Sequence, residues 1–250
     1  MNKKLIKTIF GLIIILLLPL IVQASETTSI FGDDITWQWE YRGVDEIEEG
    51  MLPYGLYIPS DADKYENIPM IVSIHGYGGT AASEDALRSG GLPGTIEKWD
   101  LDNFNAYVLI PHLFEYNDSW YNSTSVEMLK AVLDFVIDEY NVDTENIIIS
   151  GESRGGTSAI YMAYSLPEYF SKCAVFSPFS SGPFNTSIDT LCFYSWYADD
   201  ARDYAKYLKS AYGEDRVFSN DAGHGSVGYT FLCQDGGVLS DARYWYSRKW

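Results

Sequence analysis

From residue 35 onward, short runs of consecutive apolar residues alternate with segments in which apolar positions recur every three or four places. The first pattern suits strands buried on both faces of a sheet, and the second suits helices with one face against a core. Ile35–Tyr41 and Leu52–Ile58 predict an opening antiparallel pair, and Ile68–Ile74 and Ala106–Ile110 two buried strands. Ser125–Tyr140 puts Val126, Leu129, Val132, Leu133, Val136 and Ile137 on one helical face, with Ser123 or Ser125 as its cap. The β-branched run Ile147–Ile149 predicts another strand, followed by a helix over Gly156–Leu166 that stops near Pro167. Cys173–Phe176 and Leu191–Tyr194 read as strands, Asp200–Tyr212 as a helix and Arg216–Phe218 as a last strand. From Val227 a helical pattern runs toward Tyr246, interrupted at Gly236-Gly237. Strands alternating with helices predict an α/β fold, a mostly parallel central sheet with helices on both faces.

The pattern before residue 25 is of another kind. Lys3, Lys4 and Lys7 precede an almost wholly apolar run over Ile9–Val22, and Val22-Gln23-Ala24 ends it with small-residue spacing. That is the layout of a signal peptide, 1–24, cleaved after Ala24. The run is shorter than the ~20 residues a membrane span needs, and Pro19 breaks it. The expectation is a secreted protein with one domain over 25–250, touching a membrane only through the leader if that is not cleaved. Setting aside the three leader lysines leaves 14 basic residues against 35 acidic ones. Such a balance repels phosphate backbones and anionic lipid surfaces, so nucleic acid is not an expected partner. Cys173, Cys192 and Cys233 fall in apolar segments with no metal-ligand spacing, and read as core. No metal or cofactor is called for. The acidic runs Asp33-Asp34 and Glu46–Glu49 read as solvated surface.

The chemistry concentrates at Gly151-Glu152-Ser153-Arg154-Gly155, between the Ile147–Ile149 strand and the next helix. A serine at the tip of a sharp strand-to-helix turn sits in strained backbone, and neighbouring Cβ atoms would collide with the chain, hence the glycines. A serine hydroxyl needs a base, normally a histidine held by a carboxylate. The chain has three histidines: His75, His112 and His224. Only His224, in Asp221-Ala-Gly-His-Gly-Ser226, follows the serine in the order serine, acid, histidine expected for this turn. The acid belongs between them and just past a strand. Asp199 is favoured, with Asp200 as the alternative; Asp189 precedes its strand and Asp221 is too close to His224 in sequence. The N–H of Arg154 and one from Ile74-His-Gly-Tyr-Gly-Gly79, at Tyr77 or its neighbour Gly76, are the candidate oxyanion donors.

These pieces, with Pro53–Pro59, Tyr197-Ala-Asp199 and Gly223-His-Gly225, occur in order along most of the mature chain. Together they resemble the α/β-hydrolases, of the small exported esterase and prolyl-oligopeptidase-like type. The resemblance implies an α/β-hydrolase fold and hydrolysis of carboxylic esters through a Ser-His-Asp triad and an acyl-enzyme. It departs from the family pattern before the acid, where Ser195-Trp196 stands in place of His-Gly. Pro178–Thr190 is too short for a large lid domain, which leaves an open cleft suited to a small or polymer-linked ester. Trp120, Trp196 and Tyr197 are the candidate substrate-binding rings among several aromatics expected at that edge, with feruloyl or acetyl esters as candidate substrates. The competing readings are a serine peptidase with the same machinery and a catalytically silent hydrolase fold used for binding.

Overall fold

A computed structural model describes residues 37–59, 62–76, 84, 87, 106–114, 119–178, 188–195 and 199–220. The continuous apolar runs form the strands and the periodic segments the helices. In chain order these are β1 (Trp37–Arg42), β2 (Tyr54–Pro59), β3 (Ile68–Ile74), β4 (Tyr107–Pro111), α1 (Ser123–Glu139) and β5 (Val142–Glu152), then α2 (Arg154–Ser165), β6 (Lys172–Phe176), β7 (Asp189–Ser195), α3 (Asp199–Tyr212) and β8 (Val217–Asn220). Short 3-10 turns lie at Ala62–Lys64 and Glu214–Arg216.

The strands form one sheet in the order β1-β2-β4-β3-β5-β6-β7-β8. β1 pairs with β2, and β2 with β4, antiparallel, as expected for the opening pair. Every pairing from β4 to β8 is parallel. β4 lies on one side of β3 and β5 on the other, so the direction of winding reverses at β3. In such sheets the crevice beyond the carboxyl ends of the strands at the reversal point is where ligands bind. Here that point lies between Ile74 and Gly151, which are partners in the β3–β5 register.

Both faces of the sheet are buried, which is why its strands show continuous apolar runs. Met70, Val72, Leu109, Ile147, Ile149, Cys173, Val175 and Cys192 join one cluster with Leu129, Leu133, Ala159, Met162 and Leu208 of the helices. Ile71, Val108, Ile148, Ala174 and Phe193 alternate with them and are buried on the opposite face. Cys173 and Cys192 are buried free thiols, and burial pushes both well above the usual thiol range. Cys233, the leader and the segment from Val227 lie outside the described residues.

Three departures from the sequence reading matter most. β5 begins before Ile147, because Val142 pairs with Ile68 across an irregularity in register. α1 is capped by neither Ser123 nor Ser125. Asn122 holds the cap: its side chain accepts from Ser125 N–H at 2.8 Å and donates to Ser119 O at 2.6 Å, while Ser125 Oγ also donates to Ser119 O. α2 begins at Arg154 rather than Gly156, leaving no spacer between Ser153 and the helix.

Candidate active site

Ser153 sits between β5 and α2 with φ +57° and ψ −123°, a conformation that costs a non-glycine residue energy. The surrounding chain holds it there. Ser153 N–H donates to Phe176 O at the end of β6 at 2.8 Å, and its carbonyl accepts from Thr157 N–H at 3.2 Å. Its neighbours leave no room for side chains. A methyl on Gly155 would run into the carbonyl oxygens of Ile74 and His75, the latter at 2.6 Å, and one on Gly151 would come within 2.9 Å of Ile74 O. The turn therefore packs backbone against backbone, over the end of β3.

The serine side chain makes no cap hydrogen bond to the helix it starts. The first N–H groups of a helix lie outside its own ladder and, with the helix dipole, favour negative charge in front of them. Arg154 supplies the first of these. Gly76, just past β3, lies alongside: a methyl built on it would stand 3.4 Å from Glu152 O and 3.9 Å from the Ser153 Cβ. Ser153, Arg154 and Gly76 thus come together at one edge of the sheet, while Tyr77 lies outside the described residues.

His75 and His112 both lie at this edge with their rings engaged. His75 Nδ1 donates to Gly76 O at 2.7 Å, and its Nε2 accepts from Leu113 N–H at 3.4 Å. Burial lowers its pKa from 6.5 to about 4; the Gly76 contact opposes that shift, and the nearby His112 and Arg154 reinforce it. His112 is buried, with its Nδ1 on Leu113 O at 3.3 Å and its Nε2 facing Tyr41 Oη at 3.4 Å. Burial lowers its pKa too. His224 lies outside the described residues.

Asp199 and Asp200 open α3, the next element in the chain after β7, whose carboxyl end lies at the same edge of the sheet as that of β5. Asp189 begins β7, at the opposite edge, where Arg216 Nε pairs with it at 3.0 Å. Trp120 is a correction. The sequence places it in a substrate-facing loop, yet the ring is fully buried, tilted against His75 at 5.5 Å between centroids. Trp196 and Tyr197 lie outside the described residues.

Two features had no sequence signal. Ser177, after β6, has φ +45° and is buried, and its Oγ has no partner among the described residues. Its N–H donates to Phe193 O at 2.6 Å, so the chain after Phe176 is strained beside the serine turn. The second is the link from His112 to Tyr41 on β1, because nothing in the order of residues pairs an edge-strand tyrosine with a histidine after β4.

A model of the Esterase protein family matches residues 56–227, more than half of the chain. The chain belongs to the Esterase family. The match runs from β2 past β8 and takes in Gly76, Ser153 and His224. No curated protein matches the sequence. Among solved structures, a thermostable esterase is similar over 84% of this chain and 62% of its own length, at 19% identity and a TM-score of 0.54. The chain thus spans about three-fifths of that esterase. A Staphylococcus aureus fluorophosphonate-binding serine hydrolase, FphF, solved with substrate bound, is similar over 86% of this chain and 99% of its own, at 11% identity and a TM-score of 0.60. At these identities the likeness carries the fold alone, the α/β-hydrolase fold.

Proposed function

We propose that this esterase is exported by a signal peptide over 1–24 and hydrolyses carboxylic esters through Ser153, His224 and Asp199, with Asp200 as the alternative acid. The single observation that carries the reading is Ser153 at φ +57° on a strand-to-helix turn, with the Gly76 backbone alongside. The engagement of His75 and His112 in other hydrogen bonds supports His224 as the base.

In this mechanism His224 takes the Ser153 proton as Oγ attacks the ester carbonyl. The N–H groups of Arg154 and of the Gly76–Tyr77 loop stabilise the oxyanion. His224 then gives its proton to the departing alcohol, leaving an acyl group on Ser153. Water, deprotonated by the same imidazole, releases the carboxylic acid and restores the serine. No step needs a metal or cofactor. The substrate class is a small or polymer-linked ester met in an open cleft, with Trp196 and Tyr197 as candidate contacts.

Ser153→Ala tests the assignment. Turnover of a short nitrophenyl ester is expected to fall by about 10⁴-fold or more, and covalent labelling by a fluorophosphonate to disappear. Turnover within tenfold of the unmodified enzyme would sink the assignment.

A further inference from the structure

We propose that Tyr41 and His112 are positioning residues for the oxyanion side of this site, acting through a hydrogen-bonded relay that ends on the Gly76 carbonyl. As a statement about catalysis this rests on the reading of Ser153 as nucleophile. As a statement about hydrogen positions it stands alone.

The relay has four links. Tyr41 Oη lies 3.4 Å from His112 Nε2, and His112 Nδ1 lies 3.3 Å from Leu113 O. Leu113 N–H lies 3.4 Å from His75 Nε2, and His75 Nδ1 lies 2.7 Å from Gly76 O. The backbone groups fix where the protons sit. Gly76 O can only accept, so His75 carries its proton on Nδ1. Leu113 N–H can only donate, so His75 Nε2 must be the bare nitrogen. Leu113 O can only accept, so His112 also carries its proton on Nδ1. Its Nε2 is then bare, and the phenol of Tyr41 donates to it. All four donors point the same way, from β1 toward the serine turn, and each ring is neutral in one tautomer. Burial favours that neutral state in both rings.

Three of the links are long, so each is weak by itself. Their worth lies in placement: the Leu113 C=O that accepts and the Leu113 N–H that donates belong to different peptide units joined through Cα, so its backbone passes position from one ring to the other. The near end is anchored in the sheet. Tyr41 belongs to β1 and stacks on His112 with 11° between the rings, and His112 N–H donates to Pro53 O at 2.9 Å.

The far end is where help is needed. Gly76-Tyr77-Gly78-Gly79 contains three glycines, which lose the most freedom on being held in one conformation. Gly76 has no side chain with which to fix its own carbonyl. The His75 ring does so from outside, and the relay holds the ring. A peptide unit is planar, so whatever fixes the Gly76 carbonyl also sets the direction of the N–H that follows it. That N–H is the proposed oxyanion donor.

The test separates positioning from packing. His112→Leu keeps bulk and removes both ring nitrogens; it is expected to lower kcat on a nitrophenyl ester about tenfold, with KM within about twofold. His112→Asn keeps a donor toward Leu113 O and should restore kcat to within about threefold. Tyr41→Phe should lower kcat about twofold, and should have no further effect in a His75→Asn background, where the relay is already cut at Leu113. A loss confined to KM, no rescue by asparagine, or an undiminished Tyr41→Phe effect in that background would overturn the proposal. Imidazole nitrogen NMR of the unmodified protein decides independently of turnover. Both rings should be Nδ1-protonated at neutral pH, and an Nε2 proton on either ring would overturn the relay even if no ester were hydrolysed.

Discussion

Two helices of this protein begin in opposite ways. At the start of α1, Asn122 adopts extended backbone, φ −150°, and its side chain satisfies Ser125 N–H. At the start of α2, Ser153 is held at φ +57° and its side chain caps nothing. Both residues are good caps by type. The difference lies in what surrounds them. Asn122 follows a short turn that its own side chain and Ser125 tie to Ser119 O. Ser153 is clamped by Phe176 O on one side and by the glycine-only packing against Ile74 and His75 on the other. One helix start is built for stability. The other holds its first residue in a strained conformation at the reversal of the sheet.

The largest effect is expected where that clamp has no slack. Gly155→Ala forces a methyl against the carbonyl oxygens of Ile74 and His75, both backbone, so β3 or α2 must move. A loss of about 3 kcal/mol or more in urea unfolding is expected, with ester turnover falling alongside it. A variant that unfolds at the same urea concentration would mean the two backbones are not held as closely as described.

Acid should loosen the same end of the molecule and leave the Asn122 end alone, since asparagine does not titrate. His75 has a folded pKa of about 4 against 6.5 in the unfolded chain. The unfolded state therefore binds more protons between those values, and stability falls as pH drops from about 6.5 to about 4. Among the described residues the ring faces Gly76 O, Leu113 N–H and the Trp120 ring, with the His112 and Arg154 side chains nearby, and none of these is an acid that would reward protonation. After allowance for the partial exposure of the ring, the His75 contribution is on the order of 2 kcal/mol. Urea midpoints at pH 7 and 4.5 should therefore separate less in His75→Asn than in the unmodified protein. Equal separation in the two would assign the acid sensitivity elsewhere.

The sequence carries the sheet and the turn clearly for one physical reason, and the rest less clearly for another. Continuous runs such as Ile68–Ile74 have only one way to be buried on both sides, and β3 has those bounds. Gly151 and Gly155 flag the turn because the packing tolerates nothing larger. Trp120 was misplaced because a ring before a helix reads the same whether it faces solvent or the core. The ring it packs against, His75, is distant in sequence. The early start of β5 was missed for a similar reason: Val142 is a strand residue only because Ile68 is its partner. Local pattern sees a residue's own chemistry, and it misses partners brought in by the fold.

The smallest effects separate the two helix starts most cleanly. Asn122→Ala removes a cap and should cost about 1 kcal/mol while leaving ester turnover unchanged. Ser153→Gly should do the reverse. Glycine occupies φ +57° without a Cβ penalty, so relief of strain of the order of 1–3 kcal/mol outweighs the added freedom of glycine in the unfolded chain. A net gain of about 1 kcal/mol is expected, with turnover abolished. Ser153→Ala lacks the hydroxyl but keeps the Cβ, so it should lose turnover without that gain. Urea unfolding of the three variants side by side checks the argument. If Ser153→Gly is no more stable than Ser153→Ala, the positive φ at Ser153 stores no strain, and the two helix starts differ in geometry alone.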